Sequence, residues 1–184
     1  MTNLKNIKIE TERLILQPAT LDYAQDIFSE FNDDVASQMR FLPSKNIQQT
    51  KQIILNRNKK FEEWTDFQFV VLEKNTKEFI WCCGIKNPQT LTPTIGLWVK
   101  VWAQWKWYGK EIIGWLLDWA NQRLDFEYIK YDINKENIRS IKIVESFWWM
   151  PNLDSNGKIK IYKREVDEWK PEQFGYQYKI YPNK

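Results

Sequence analysis

The clearest periodicity in the chain runs from Lys110 to Leu124. There Ile112, Leu116, Ala120 and Leu124 recur every four residues, with Ile113 and Leu117 beside them. That spacing predicts a helix with one apolar face. A second helix is predicted over Ile47 to Trp64, with Ile47, Ile54 and Phe61 seven residues apart. A third follows Thr20, which has the chemistry of an N-cap, and carries Leu21, Ala24, Ile27, Phe28 and Phe31 on one side. Asn137 is placed to cap a short helix through Phe147, in which Ile138, Ile141 and Val144 form the stripe expected to be buried.

Between these lie extended stretches. Arg13-Leu-Ile-Leu-Gln17 reads as a strand closed by Pro18. Phe67 to Leu72 and Glu78 to Ile85 read as a hairpin around the polar loop Glu73 to Lys77. Thr94 to Lys100, Glu127 to Ile133, Ile159 to Val166 and Phe174 to Tyr181 are the remaining strands, with a turn at Asp154-Ser-Asn-Gly157. In the last of them Phe174, Tyr176, Tyr178 and Ile180 alternate with more polar neighbours. The order β-α-α-β-β-β-α-β-α-β-β is that of an α+β domain with a mixed sheet, and residues 1–184 fit a single domain.

Charge and composition narrow the chemistry. Net charge is +3 with Lys and Glu interspersed, so no basic stripe points to nucleic acid. No apolar run approaches the roughly 18 residues of a membrane span, and Met1-Thr-Asn-Leu-Lys-Asn6 lacks the pattern of a signal peptide, so a cytoplasmic location is expected. With no His at all, a zinc site or a His-based triad is nearly excluded, and no metal is expected. Cys82 and Cys83 are adjacent in an apolar run, which puts them on opposite strand faces as core residues rather than as a disulfide or nucleophiles. Tryptophan occurs 11 times and glycine 6 times, where an average chain of this length carries about 13 glycines.

The segment from Ile95 to Trp149 carries the candidate chemistry. A strand leads through Val101-Trp-Ala-Gln-Trp-Lys-Trp-Tyr-Gly109 into the strongest helix. The N–H groups and positive dipole end of such a junction suit an anion such as a pyrophosphate. Gln104-Trp-Lys-Trp107-Tyr-Gly109 resembles the Arg/Gln-x-x-Gly-x-Gly/Ala loop of the GCN5-related N-acetyltransferase (GNAT) superfamily. Thr11-Glu-Arg-Leu-Ile-Leu-Gln-Pro18 and Ile95-Gly-Leu-Trp-Val99 resemble the first and fourth strands of its branch that acetylates ribosomal-protein N-termini (RimJ/RimL-like). Asn134-Lys-Glu-Asn137-Ile-Arg-Ser140, followed by Glu145-Ser-Phe147, is similar to the family's Asn-x-x-Asn-x-x-Ser and the helix end behind it. The matches occur in the family's order along most of the chain.

The resemblance implies a mostly antiparallel twisted sheet of about seven strands flanked by about four helices. It also implies acetyl-CoA as co-substrate and an amine as acceptor, either a peptide N-terminus or a small molecule, in a monomer or homodimer. On this reading Leu97, Trp98 and Val99 hold pantetheine, and Gln104, Trp105, Lys106, Trp107, Tyr108, Gly109 and Lys110 hold the pyrophosphate. Asn134 and Asn137 sit beside the pantetheine arm. Ser140 is the candidate proton donor to the departing thiolate, with Tyr131 and Tyr108 as alternatives. Relatives often carry a Glu before the fourth strand as base. This chain has Thr94 there, so the base is unassigned, and spacing gives no support to water relayed to Glu73 or Asp132. Trp81, Trp105, Trp107 and Trp148 stand where the family has glycine. A second reading follows: a GNAT-fold binding or structural module whose coenzyme loop is blocked by indoles.

Overall fold

Extended, β-branched and aromatic residues from Phe67 to Leu72 form the strand on which both cores are built. The computed structural model describes residues 7–99, 108–147, 149–164 and 172–182. Within them the order is β1 (Ile9–Glu10), β2 (Leu14–Pro18), a 3-10 turn (Leu21–Tyr23), α1 (Ala24–Glu30), α2 (Asp33–Ala36) and α3 (Ile47–Glu62). There follow β3 (Asp66–Glu73), β4 (Phe79–Lys86), β5 (Thr94–Val99), α4 (Tyr108–Arg123), β6 (Ile129–Asn134) and α5 (Ile138–Glu145). The chain ends in β7 (Met150–Pro151), β8 (Ile161–Arg164) and β9 (Gln173–Ile180).

The strands form one sheet ordered β1-β2-β3-β4-β5-β6-β9-β7, with β8 also on β9. Every pairing is antiparallel except β5 with β6. Each face of the sheet carries its own core. Leu14, Leu16, Phe67, Phe69, Cys83 and Ile85 pack with Ile112, Ile113, Leu116 and Ala120 of α4. Ile15, Val70, Leu72, Cys82 and Trp98 pack with Ala24 of α1 and Ile54 of α3 on the other face. Ile112, Ile113 and Leu116 are 0% exposed, and burial of each such side chain contributes about 1.5–3 kcal/mol. Cys82 and Cys83 therefore point to opposite cores as free thiols. Burial pushes the Cys82 thiol up to about 12 and Cys83 well above its ordinary value, which leaves neither as a nucleophile.

The fold differs from the sequence expectation in detail. Nine strands and five helices are present among the described residues rather than about seven and four, because β1, β7 and α2 are too short to leave a periodic signal. Thr20 does not cap a helix. Its hydroxyl donates to Asp22 at 3.0 Å, and a 3-10 turn precedes α1. Helix α3 stops before Trp64, whose φ of 59° turns the chain out of the helix. Helix α4 begins at Tyr108, earlier than Lys110. In α5, Val144 is 0% exposed but Ile138 is 56% exposed, so Ile138 is not part of the buried stripe. Phe174 is 40% exposed. The inward positions of β9 change phase from Gln173 and Gly175 to Tyr178 and Ile180. Ile161–Arg164 is the described part of the eighth strand, and the expected continuation to Val166 lies outside the described residues.

One polar contact ties the two ends of the first core together. Glu111, in the first turn of α4, accepts hydrogen bonds from the Thr11 hydroxyl, from Arg13 N at 3.0 Å and from Arg13 Nε at 2.7 Å. Burial pushes its carboxyl up, but the three donors and the Arg13 charge outweigh this and hold it below the ordinary 4.5. A carboxyl lowered by folding stabilises the fold above its unfolded value, and loses that effect as pH falls through its folded value. We expect Glu111→Ala to lower stability by about 2 kcal/mol at neutral pH, since bonds to a charged group contribute about 1.5–3 kcal/mol. In thermal denaturation the gap between wild type and variant should narrow as pH falls below 4.5.

Candidate active site

Strands β5 and β6 are joined at only two positions, Thr94 to Lys130 and Ile95 to Tyr131. Beyond Ile95 the two strands part. On its other side β5 stays paired with β4 as far as Val99. From Gly96 to Val99 its second edge has no strand partner among the described residues. Backbone N–H and C=O groups at that edge are available to a ligand.

A cavity of about 370 Å³ fills the opening and extends beneath α1 and α3. Its floor is a set of cross-strand rungs. Asp66, Lys86 and Thr94 form the first, Gln68, Gly84 and Gly96 the second, and Cys82 and Trp98 lie on the third. The middle rung is deep because its glycines carry no side chains. A Cβ at Gly84 would sit 2.1 Å from the Phe67 carbonyl oxygen, so close approach of β3 requires glycine there. Trp98 is 8% exposed and is held by Phe31, with ring centroids 5.0 Å apart.

The far wall is the end of β6 and the start of α5. Asn137 caps α5 by accepting from Ser140 N at 3.1 Å, and Asn134 accepts from Glu136 N at 3.1 Å. These two bonds fix the turn and bring Ser140 to the cavity. Tyr131 lines the same space, with its ring edge-on to Trp149 at 6.1 Å. Asn134, Asn137, Ser140, Tyr131, Leu97 and Trp98 thus line one cleft.

The remaining expected residues do not line this cavity or lie outside the described residues, apart from Asp132. Tyr108 is 6% exposed, packed in the first core with the Arg13 guanidinium 4.7 Å over its ring, and does not line the cleft. Gly109 is a packing residue as well, since a Cβ there would meet Ile143 Cδ1 at 2.7 Å and the Trp81 ring at 3.2 Å. Lys110 is exposed, its Nζ 5.4 Å from the Phe147 ring centre. Val99 ends β5. Gln104, Trp105, Lys106, Trp107 and Trp148 lie outside the described residues. Glu73 serves the hairpin, accepting from Asn75 N at 3.0 Å and Thr76 N at 2.6 Å. Asp132 lines the cavity, but Arg40 at 2.7 Å and Gln177 at 2.9 Å engage its oxygens.

Sequence reading passed over the charged end of the cavity. Arg40, Arg57, Asp66 and Lys86 all line it. Burial pushes the Asp66 carboxyl up, and pushes Lys86 and Arg57 down. The signals were present. Thr50, Ile54, Arg57 and Phe61 share one stripe of α3, so Thr50 and Arg57 interrupt an apolar face. Asp66 and Gln68 occupy the same strand face as buried Val70.

A family model described as an acetyltransferase (GNAT) domain matches residues 13–147, from the first core strand to the end of α5. The chain belongs to the GNAT acetyltransferase family. Solved structures share the fold of this GNAT chain at low identity. The ribosomal-protein-S5-alanine acetyltransferase of Vibrio fischeri aligns with a TM-score of 0.77 and 15% identity, over 97% of this chain and 98% of that one. A GNAT-family acetyltransferase of Bacillus anthracis gives 0.77 and 15%, over 97% and 100%. The spermidine N-acetyltransferase of Vibrio cholerae, solved with CoA and spermine, gives 0.71 and 15%, over 94% and 97%. No curated protein sequence matches the chain significantly. No helix among the described residues is long and apolar enough to cross a membrane.

The co-substrate of this GNAT domain is acetyl-CoA. The described residues leave room for it: from Gly96 to Val99 one edge of β5 has no strand partner, and the cavity beside Asn137 and Ser140 is open. Removing the cap that shapes this wall should be measurable. Asn137→Ala is expected to cost about 1 kcal/mol, read as a lower midpoint in urea denaturation.

Proposed function

We propose that this GNAT domain transfers the acetyl group of acetyl-CoA to a primary amine held in the cavity between the parted strands and helices α1 and α3. The observation that carries the reading is the polarity of that cavity. Its open end, toward Val99, has unpaired strand edge, Asn137 and Ser140, while its closed end carries the ionisable rung at Asp66, Lys86 and Thr94. Coenzyme and acceptor then approach from opposite ends and meet near the middle rung.

The family supplies the chemistry as an activated thioester, and the chain's groups orient it. Leu97, Trp98 and Val99 offer backbone groups to pantetheine, and residues 104–110 the pyrophosphate site. A bond forms between the amine nitrogen and the acetyl carbon, the carbon–sulfur bond breaks, and the amine gives up a proton to solvent water, which in turn restores the proton that Ser140 donates to the sulfur. A backbone N–H of the open β5 edge steadies the carbonyl oxygen. Ser140 returns a proton to the sulfur, with Tyr131 the second candidate in the same cleft. A cavity of about 370 Å³ suits a small amine or the terminal residues of a peptide. The sequence motifs favour the branch that acetylates ribosomal-protein N-termini.

The test is release of CoA thiol from acetyl-CoA with a panel of N-terminal peptides and small amines. Ser140→Ala should lower kcat by about a hundredfold with little change in the KM for acetyl-CoA. Tyr131→Phe should leave kcat within a few fold. The reverse pattern would move the proton donor to Tyr131, and no thiol release with any acceptor would overturn the reading.

A further inference from the structure

The closed end of the cavity is more cationic than a site for simple amines needs to be. Arg40, Arg57 and Lys86 line it against two carboxylates, Asp66 and Asp132. Asp132 is spoken for, because it pairs with Arg40 at 2.7 Å and accepts from Gln177. Arg57, Lys86 and Asp66 remain. Lys86 stands directly across the β3–β4 ladder from Asp66, with its Nζ 4.7 Å from the Phe41 ring centre. Among the described residues neither Arg57 nor Lys86 makes an ion pair like that of Arg40. One carboxylate therefore faces two half-buried cations, and Arg57 and Lys86 repel one another.

A neutral donor lines the same cavity two helical turns from Arg57. Thr50 lies on the Arg57 stripe of α3, is 2% exposed, lines the cavity, and its Oγ1 has no hydrogen-bond partner. Buried hydroxyls are nearly always satisfied, so a missing partner points to an absent acceptor. Two neighbouring cations are the donor set for an oxyanion, and the hydroxyl adds a donor elsewhere in the cavity. A polyamine would bring further positive charge to this end.

Resting on the acetyl-transfer reading above, we infer that the acceptor is an amine that also carries an anionic oxyacid group, carboxylate or phosphate-like, seated on Arg57 and Lys86. The anion relieves the unmatched charge at the closed end and leaves the amine pointing toward the open end, where the acetyl group is delivered. Specificity comes from this charge match, and an otherwise equal amine without the anion forfeits it.

Two measurements separate this inference from the activity itself. The first is calorimetric binding of aminopropylphosphonate, of a matching amino carboxylate, and of propylamine and spermidine as controls. Contacts to buried charges correspond to at least about tenfold in affinity, so one or both anionic amines should bind about tenfold or more tightly than propylamine. Spermidine should bind more weakly still. Arg57→Gln should erase the difference, and Lys86→Gln provides a second variant if the first does not fold. Whether phosphonate or carboxylate binds better identifies the oxyacid. Equal binding of all four probes, or preference for spermidine, would overturn the inference. The second measurement is acetyl transfer to the same compounds. Anion-selective binding without transfer would sustain the anion site and overturn the acetylation reading. Transfer without anion selectivity would sustain the activity and overturn the inference.

Discussion

A parallel pairing two residues long governs this molecule. Thr94 and Ile95 hold β5 to β6, and past them the sheet opens. An unpaired strand edge sealed inside a protein costs about 1–3 kcal/mol for each orphaned polar group, so the opening persists only because it faces a cavity. Every part of the site follows from it. Asn134 and Asn137 close the turn that swings α5 away, Ser140 and Tyr131 face the gap, and Gly84 and Gly96 keep its floor clear. An uninterrupted β5–β6 ladder would leave the same residues as an ordinary sheet with no place for a coenzyme.

The surrounding packing holds the gap open from both faces. On one side α4 is anchored by its apolar stripe and by Glu111, which grips Thr11 and Arg13. On the other, α1 and α3 roof the cavity, while Trp98 is wedged between Phe31 and Phe79. The roof is where polar residues interrupt the apolar pattern, at Thr50 and Arg57. That is also where a buried hydroxyl lacks a partner and two cations share one carboxylate. Such unmet polarity costs stability and marks a place where a ligand completes the structure.

Much of this was legible in the residues. The hairpin of β3 and β4, the helix α4 and the Asn137 cap are local patterns, fixed by period, turn chemistry and capping. Asn134, Asn137 and Ser140 of one short motif line one cavity. What escaped was non-local. The clamp at Glu111 joins residues about a hundred positions apart, and the Asp66–Lys86 rung depends on strand register. Ile138 and Phe174 went outward because a short helix and a phase change in β9 override simple alternation. Trp81 does not line the cleft. Its ring fills the space beneath Gly109 in the first core, and its indole N–H is buried without a partner, for which nothing in the structure gives a reason.

The central claim is that the edge of β5 beyond Ile95 and the turn before α5 receive the coenzyme. Amide hydrogen exchange with and without CoA tests it directly, because bound amides slow their exchange and β5 forms few other bonds on that side. The account predicts new protection in peptides spanning Gly96 to Val99 and Asn134 to Ser140, with little change in β8 and β9. Unchanged exchange across both segments at saturating CoA, or protection confined to other strands, would contradict it.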